Sequence, residues 1–565
     1  MKKLISSTLL ASLAAASSQA AIVQVTADIT SDTTWTSSNE YILTDIIYVR
    51  DGATLTIGEG TIIRGEPSSG NFTFDPGALV ITTSGRINAQ GTSTNPIIFT
   101  TAAVDSNLDG IADGYDFFED DNGTPDNADD DSNRVVADQT VVTGGVLQNG
   151  PFLDANPATS PLPAALYTGS GEFDPIQTFV DGSGDTVGLE YRQLWGGVII
   201  LGEAPINSDV TAAGGLNRQF IEGLPEDEAL SGYGGFNPND NSGVFSYVSI
   251  RHGGEVIGSG NEINGLTMGG VGFGTQIDHV DVYCNADDGF EWFGGTVNTK
   301  YLTSIFNNDD AFDVDEGFTG LGQFWFALMN ADTENGDKGA EHDGETGDGN
   351  DATFSTSFSI PKTYMVVYNA TYIGNPNKST EAFRLRDNWG GEYHNSIFYG
   401  FGGSDAIEFE SDGEGRFLGG EIIFSGNTFF DPNKGLTAAS YGKSASGGFV
   451  ETALDSIFSS TFGTTTANFI KDPAFRSLNR RDTTADGSGL STVGVNPTPT
   501  DAQARANNGG GGSFGVPVTS TFFDATPNYK GAFDPSTGTT LWTTGWTALN
   551  ARGVLVDRPD GNSIN

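Results

Sequence analysis

The sequence predicts an all-β solenoid, in which short strands stack coil upon coil. Five segments, at 264–268, 288–292, 310–314, 381–385 and 405–409, are versions of one another, and their first positions lie 24, 22, 71 and 24 residues apart. A repeat of this length is typical of stacked coils. In each segment the third and fifth residues are large and apolar, and the fourth is usually charged. This alternation is that of a strand with one buried face.

Composition agrees with this fold class. The 565 residues include 78 glycines, and 37% of the chain is hydrophobic, which suits many short strands joined by tight turns. The interval of 71 residues corresponds either to three repeats or to one repeat with a long insertion.

The chain begins with the zones of a secretory signal. Lys2 and Lys3 precede an apolar run, and small residues follow up to Ala20. We therefore expect residues 1–20 to be a signal peptide and the mature protein to be secreted or held at the cell surface. No later segment is apolar for long enough to span a membrane.

The rest of the chain divides by pattern. Residues 21–103 are predicted to form an N-terminal cap and the first coils, 104–190 an acidic insertion, and 191–480 the main β-helix. A second polar insertion is expected at about 331–355. Residues 481–565 are predicted to form a Gly- and Thr-rich link and a Trp-containing C-terminal cap over the last coil, since a solenoid needs its end covered.

The charge of the chain restricts its partners. The formal net charge is −47, which argues against nucleic acid or an anionic membrane as a partner. With one cysteine there is no internal disulfide, so we expect stability to come from the core and from the packing of the repeats, with bound ions as a further source. The acidity is explained either by adaptation to salt water or by the binding of divalent cations.

One loop in the insertion has the spacing of a calcium site. Oxygen-bearing side chains stand at loop positions 1, 3, 5, 9 and 12, with Gly110 at position 6. The predicted ligands are Asp105, Asn107, Asp109, Asp113 and Asp116. The alternative is an acidic loop without an ion.

Stacking of the five repeats predicts a charged stripe on the outside of one sheet. The fourth positions form one column, and the residues two places further along form a second. The stripe comprises Glu291, Phe293, Asp313, Asp315, Arg384, Arg386, Glu408 and Glu410. Because neighbouring strands lie about 4.8 Å apart, its carboxylates would be close enough to need a cation or a proton between them.

Five runs resemble a family of exported right-handed parallel β-helix proteins of environmental bacteria, within the pectate-lyase-like superfamily. They are Gly-Ala-Thr-Leu-Thr-Ile at 52–57, Asn-Pro-Ile-Ile-Phe at 95–99, Trp-Gly-Gly-Val-Ile-Ile-Leu at 195–201, Ile-Arg-His-Gly-Gly at 250–254 and Asp-Asp-Gly-Phe-Glu-Trp-Phe-Gly-Gly at 287–295. The similarity spans roughly residues 40–475. It implies the fold and no particular reaction.

The resemblance also implies roles for the stripe if the protein is an enzyme. In similar lyases, carboxylates hold calcium and an arginine removes a proton, so Asp313, Asp315 and Glu291 would hold the metal and Arg384 or Arg386 would act as the base. The catalytic candidates on the stripe are Arg384, Arg386, Asp313 and Glu408. In similar hydrolases, paired aspartates act as acid and base. The Gly-His-Gly and Arg-Ile-Lys motifs of polygalacturonases are not found in this sequence.

Three interpretations of the stripe stay open: a ladder of surface ion pairs without a ligand, a calcium-binding face, and an active site for polysaccharide cleavage. We expect an exported, calcium-binding surface or extracellular-matrix protein that engages polysaccharide or a cell-surface glycan. The alternatives are a calcium-dependent polysaccharide lyase or hydrolase, and a structural protein that self-associates into fibres. The candidates for a sugar-stacking platform are five aromatic residues: Trp292, Phe293, Trp325, Trp389 and Tyr393.

Overall fold

The computed structural model is a parallel β-helix whose coils have three faces. It describes residues 21–66, 76–102, 178–180, 186–188, 192–207, 217–257, 261–329, 336–344, 361–375, 378–401, 405–410, 413–437, 441–445, 448–462, 468–478, 495–506, 520–536 and 540–551. The predicted signal peptide and most of the predicted insertion 104–190 lie outside these residues.

The first face is a sheet of parallel strands and contains all five sequence repeats. Its strands, in spatial order, are β4 (Ile46–Val49), β7 (Ala78–Ile81), β12 (Val198–Leu201), β18 (Leu266–Gly269), β20 (Phe290–Phe293), β22 (Phe312–Asp315), β24 (Glu341–His342), β27 (Phe383–Leu385), β30 (Ile407–Phe409) and β33 (Gly442–Ser444). All-parallel pairing in this order confirms the solenoid that the repeat spacing predicts.

The second and third faces are continuous with each other through four long strands. These are β15 (Gly243–Arg251), β19 (Gln276–Tyr283), β21 (Thr299–Ile305) and β23 (Leu321–Leu328). The second face adds β2 (Thr33–Trp35), β5 (Thr54–Ile57), β8 (Arg86–Gln90), β25 (Met365–Tyr368), β28 (Gly391–His394) and β31 (Ile422–Ser425). The third adds β1 (Ala21–Val25), β3 (Asn39–Leu43), β6 (Ile62–Gly65), β9 (Ile97–Thr101), β26 (Thr371–Ile373), β29 (Ile397–Tyr399), β32 (Thr428–Phe430) and β35 (Asn468–Ile470).

Each long strand bends at one residue with left-handed backbone geometry. The bends occur at Tyr247, His279, Tyr301 and Phe324, with φ between 52° and 59°. The four rings stack on one another outside the coil, with centroids 4.1, 4.3 and 4.9 Å apart in succession. We call these four residues the aromatic ladder.

The remaining elements are short strand pairs and helices beside the three faces. Antiparallel pairs are β10 (Thr178–Val180) with β11 (Thr186–Gly188), β13 (Gln219–Phe220) with β14 (Gly232–Tyr233), β16 (Val256–Ile257) with β17 (Asn261–Glu262), and β36 (Phe475–Leu478) with β37 (Val495–Pro499); β34 (Phe458–Ser459) pairs in parallel with β35. The helices within the described residues are α1 (Gly413–Leu418), α2 (Gly448–Asp455) and α3 (Ala548–Ala551). Among the described residues, no helix has the length and apolarity needed to cross a membrane.

The interior of the coils is apolar and aromatic. The third and fifth positions of the repeats point inward and are fully buried, as Phe290, Trp292 and Phe312 illustrate. Trp292 stacks on Trp325 of the second and third faces at 5.1 Å, so adjacent faces meet in one core. The predicted inward alternation is therefore confirmed.

The interval of 71 residues between the third and fourth repeats contains one further coil. Between β22 and β27 the sheet contains β24, and Asp313 pairs with Glu341, which pairs with Arg384. The coils of Asp310 and Glu381 are therefore not adjacent, and both predicted explanations of the 71-residue interval are wrong. The sequence pattern fails in β24 because Ala340 and His342 occupy the two inward positions that are large and apolar in the other repeats.

The Trp-bearing C-terminal segment packs along the side of the coils. Gly531 donates its N–H to Asn395 O at 2.8 Å, and Ala548 donates its N–H to Asp281 Oδ2 at 2.9 Å. Trp546 lies edge-on to Tyr247 in the aromatic ladder, with centroids 5.6 Å apart. Residues 520–536 and 540–551 thus cover the corner between the second and third faces, where Trp546 packs on the aromatic ladder, rather than the last coil where the sequence placed them.

Candidate functional site

An acidic cleft of about 380 Å³ opens beside the first face. Nine carboxylate and three cationic side chains line it: Glu222, Asp287, Asp288, Glu291, Asp309, Asp310, Asp313, Asp337, Glu341, Lys338, Arg384 and Arg386. Most come from the turns that precede β20, β22 and β24 and from the outward positions of these strands. Parallel stacking therefore brings residues far apart in sequence to one edge of one sheet.

Two aspartates of the cleft also hold consecutive coils together. Asp288 Oδ1 accepts the backbone N–H of Asp310 at 2.9 Å, and Asp310 Oδ1 accepts the backbone N–H of Lys338 at 2.7 Å. These bonds account for an acidic residue at the first position of the repeat. They leave the second oxygen of each carboxylate for other partners.

Carboxylates of neighbouring coils converge in the cleft. Oxygen atoms of Asp288, Glu291 and Asp313 all lie within 4.8 Å of one another, and the same holds for Asp309, Asp310 and Asp337. Asp288 and Glu291 are buried, and Asp313 is partly exposed. Like charges at this separation repel, so protons or cations are needed to stabilise the cluster.

The pKa values of these groups reflect that environment. Burial raises the pKa of Asp288, Glu291 and Asp313 well above the usual carboxyl range, and neighbouring carboxylates raise it further. The largest neighbour effect on the pKa of Glu291 comes from Asp313, and that on Asp313 comes from Asp343. The protein therefore disfavours a fully ionised cleft.

Lys338 neutralises one end of the cleft. Its Nζ lies 2.5 Å from Asp337, 2.6 Å from Glu341 and 3.6 Å from Asp310, and its side chain is 5% exposed. Burial alone would lower the pKa of Lys338, but its carboxylate partners raise it above the usual range. Lys338 is therefore a fixed positive charge at neutral pH.

Arg384 and Arg386, in and directly after the strand next to Glu341, form a wall of the cleft. Arg386 pairs with Glu341 and, at 2.9 Å, with Asp343, whereas Arg384 pairs with Glu410 at 3.1 Å. Both side chains are about one-third exposed. The carboxylates around them raise the pKa of both guanidinium groups against the opposing effect of burial.

The stripe that the sequence predicts is divided into two parts. Glu291, Asp313, Arg384 and Arg386 line the cleft. Beyond it, Glu408 pairs with Lys443 at 2.5 Å, and Glu410 pairs with Arg384. The C-terminal part is thus a ladder of ion pairs, whereas the N-terminal part has an excess of carboxylates.

The second column of the stripe is covered at Phe293. Phe293 is 9% exposed and packs on Tyr233 of the β13–β14 hairpin, so it does not contribute to an open surface. The Tyr233 hydroxyl donates to Glu316 at 2.7 Å, and burial raises the pKa of Glu316 to about 8. Asp315, directly before Glu316, has a pKa raised by burial to about 6.

A buried histidine supports the floor of the cleft. His342 points into the core behind Glu341, where burial lowers its pKa to about 3. With His342 neutral, one nitrogen bonds the Glu341 carbonyl at 2.7 Å and the other bonds the Tyr393 hydroxyl at 2.8 Å. The partners assign the proton to Nδ1, which donates to the carbonyl oxygen, and make Nε2 the acceptor.

Several cleft residues were missed in the sequence prediction. The doublets Asp287-Asp288 and Asp309-Asp310 stand 22 residues apart, directly before two repeats. That spacing is one coil, so it could have placed both doublets at the same edge of the sheet. No spacing in the sequence indicates the positions of Glu341 and Lys338, because their coil lacks the repeat pattern. The predicted calcium ligands Asp105, Asn107, Asp109, Asp113 and Asp116 lie outside the described residues and stay a prediction.

Comparison with known proteins gives one family. A sequence model described as a pectate-lyase like beta helix domain matches residues 27–111 and 187–472. A search of curated proteins returned no match. The family match covers more than half of the chain and includes the coils that form the cleft, and the stacked parallel strands agree with it. The chain therefore belongs to the pectate-lyase-like β-helix family.

Proposed function

We propose that this protein is an exported, calcium-binding β-helix protein that binds an acidic polysaccharide at the acidic cleft. The observation that carries the proposal is the convergence of Asp288, Glu291 and Asp313, from two neighbouring coils of the first face, within 4.8 Å. Family membership, which connects the chain with polysaccharides, supports the choice of ligand. Export rests on the predicted signal at 1–20.

The donor atoms favour calcium among common cations. Calcium is bound by several oxygen ligands in flexible geometry, whereas zinc prefers histidine and cysteine. The cleft offers carboxylate oxygens from neighbouring coils, and Asn264 next to Glu291 adds a buried amide oxygen without a hydrogen-bond partner in the described residues. A bound cation would offset the repulsion among these carboxylates and attract the carboxylates of a glycan.

Two arginine side chains would orient the bound glycan. Arg384 and Arg386 stand at the rim with about one-third of each side chain exposed, so they can meet a glycan carboxylate while remaining paired with the protein. Guanidinium groups bind carboxylates with two parallel hydrogen bonds. The Arg wall and the carboxylate cluster face one cleft, which fits a chain of uronates better than a neutral glycan.

Cleavage of the same glycan is the second candidate, because family membership favours it as well. Two features of the cleft favour binding instead. The raised pKa of Arg384 and Arg386 opposes proton abstraction by either side chain. The carboxylates that converge within 4.8 Å are also closer than the roughly 6.5–9.5 Å kept between the acid and base of inverting glycosidases, which argues against an inverting hydrolase.

The test combines calorimetry with glycan retention. Because the predicted loop at 105–116 would also bind calcium, all proteins carry Asp109→Asn and Asp113→Asn. We expect this background protein to bind calcium and to be retained by polygalacturonate or alginate only with calcium, without release of unsaturated uronates. Asp313→Asn should abolish both effects, whereas Glu408→Gln, on the same face but paired with Lys443, should change neither.

Each other outcome has a clear meaning. Calcium-dependent release of unsaturated uronates, lost in Arg384→Ala or Arg386→Ala, would replace binding with lyase activity. Equal calcium affinity in the Asp313→Asn variant and its parent would remove the cleft as the calcium site.

A further inference from the structure

The aromatic residues that reach solvent differ from those suggested by the sequence. Trp292, Trp325, Trp389 and Tyr393 are fully buried and Phe293 is 9% exposed, so none of them offers a ring to a sugar. Phe236 and Phe273 are 76% and 51% exposed, and they are the aromatic members of the exposed large hydrophobic set in the described part of the chain. The two rings are carried by turns that contact each other, and adjoining exposed apolar residues mark an interaction surface, whereas single exposed residues do not.

The two rings project from turns that are packed together. The Phe273 N–H lies 3.0 Å from both Pro238 O and Thr296 Oγ1. The Thr296 hydroxyl in turn donates to Pro238 O at 2.6 Å, so turns from three coils meet at one point. A ligand at these rings would therefore lose little affinity to ordering of the protein.

Glycine makes the close packing of these turns possible. A Cβ on Gly272 would lie 2.4 Å from Asp240 N, and a Cβ on Gly274 would lie 2.7 Å from Asn239 O. Both contacts involve the backbone of the neighbouring turn. The spacing between the segments that carry Phe236 and Phe273 is therefore fixed by the fold.

Polar groups around the rings suit hydroxyl recognition. Asn237, Asn239 and Asn241 are exposed, and Glu203 is exposed next to Asn237, whose N–H donates to Glu203 O at 2.9 Å. Carboxamides both donate and accept hydrogen bonds, and a carboxylate accepts them, as sugar hydroxyls require. Residues 202–207, 235–242, 270–275 and 294–296 contain no lysine or arginine. An anionic glycan would thus find acidic groups and no cation in these segments.

We infer that Phe236 and Phe273 form a stacking platform for the pyranose rings of a neutral polysaccharide, separate from the acidic cleft. The aromatic faces pack against the apolar C–H face of the sugar, and the neighbouring amides and carboxylate bind its hydroxyls. The platform follows β18, at the carboxyl end of the first-face strands, whereas the aspartate doublets of the cleft precede β20 and β22. The two sites therefore lie at opposite edges of one sheet, and binding at the platform needs no calcium.

The test is affinity electrophoresis of the full mature chain in gels that contain xyloglucan, galactomannan or a mixed-linkage β-glucan, with calcium or with chelator. We expect retention by at least one neutral polysaccharide in both conditions. The double variant F236A/F273A should weaken this retention by about tenfold or more, since each 1.4 kcal/mol lost is a factor of ten. The matched control L418A/L436A removes two similarly exposed apolar side chains and should leave retention unchanged.

The remaining outcomes overturn the inference. Equal retention of the double variant and the parent would remove the rings from the binding surface, and no retention of the parent would remove neutral polysaccharide as the ligand. Light scattering that finds a dimer of the parent and a monomer of F236A/F273A would identify the rings as a self-association surface instead. Calcium-dependent retention by polygalacturonate, measured in parallel with Asp313→Asn, reports on the cleft alone, so either site can fail without the other.

Discussion

The acidic cleft and the aromatic ladder are built by the same stacking rule and have opposite consequences. In both, parallel strands place similar side chains directly above one another. In the aromatic ladder the rings stack 4.1–4.9 Å apart and stabilise the corner. In the cleft the stacked groups are carboxylates within 4.8 Å, and the charge of Asp313 adds to burial in raising the pKa of Asp288 and Glu291. A β-helix thus turns one repeated residue type into either a structural support or a candidate binding site.

The two regions also differ in what completes them. The aromatic ladder is covered by the chain itself, because Trp546 lies edge-on to Tyr247 and His279, with centroids 5.6 and 5.8 Å away. The cleft is completed only in part, since Lys338 and Arg386 neutralise the end nearest Glu341. The excess charge around Asp288, Glu291 and Asp313 is what an external cation would offset.

Removal of the cover of the aromatic ladder should give the largest effect. Trp546 is fully buried, and its indole N–H donates to Trp542 O at 2.8 Å. Trp546→Ala should lower the free energy of unfolding by about 3–5 kcal/mol, through lost burial and the cavity left behind. Chemical denaturation measures this loss, and Phe236→Ala, at a ring 76% exposed, is the control that should change stability little. Equal losses in both variants would show that the cover contributes nothing specific.

Removal of the internal cation of the cleft should give the next largest effect. Lys338→Met leaves Asp310, Asp337 and Glu341 without their shared partner. In chelator we expect a loss of about 3 kcal/mol, since an uncompensated buried charge is costly. Added calcium should recover part of this loss in the variant. Thermal melting with and without calcium measures both effects, and a variant as stable as its parent in chelator would contradict the role given to Lys338.

Removal of one carboxylate should have the opposite sign. Glu291→Gln reduces repulsion with Asp313 while keeping the shape of the side chain and its contact with Asn264. In chelator we expect the variant to be more stable than the parent by about 1–2 kcal/mol, and less stabilised by calcium. Melting temperatures of the variant and the parent, each in chelator and with calcium, measure both effects. Destabilisation in chelator would mean that the carboxylate is held by favourable contacts instead.

The stability of the protein should also depend on pH through the cleft. Burial, and then the charge of Asp315, raise the pKa of Asp343 from 3.8 to about 9, and the nearby Arg386 opposes this increase only in part. Between these values the folded state holds a proton that the unfolded chain has released, so stability falls as pH rises through this range. The chelated protein should melt at higher temperature at about pH 5 than at about pH 8.5. Calcium should reduce the difference.

A matched variant separates this effect from the general charge of the molecule. The net charge of −47 also becomes less repulsive on acidification. Asp343→Asn removes the titrating group, so its melting temperature should depend less on pH than that of the parent. Identical pH profiles of the two proteins would exclude Asp343 as a source of the dependence. Trp546→Ala, at the aromatic ladder, should shift the profile downward without changing its slope.

The sequence by itself determined the solenoid, its strand register and the composition of the stripe. Alternation along the strand assigns Trp292 and Glu291 to opposite sides of the sheet, and a spacing of one coil places Asp313 next to Glu291. These features are local or periodic, so they can be derived from residue order. The extra coil at Glu341 could not be derived, because Ala340 and His342 replace the large apolar residues that mark the other repeats.

Only the tertiary structure decided which charges are neutralised and which rings are exposed. Arg386 reaches Glu341 across a long insertion, and Ala548 reaches Asp281 from the far end of the chain. Tyr233 covers Phe293, while Phe273 stays exposed one coil earlier. Such pairings depend on distances between segments whose separation in sequence carries no period. The pKa of a cleft carboxylate and the access to a ring follow from those distances, and so the binding properties of this protein are set by how the coils and their insertions pack.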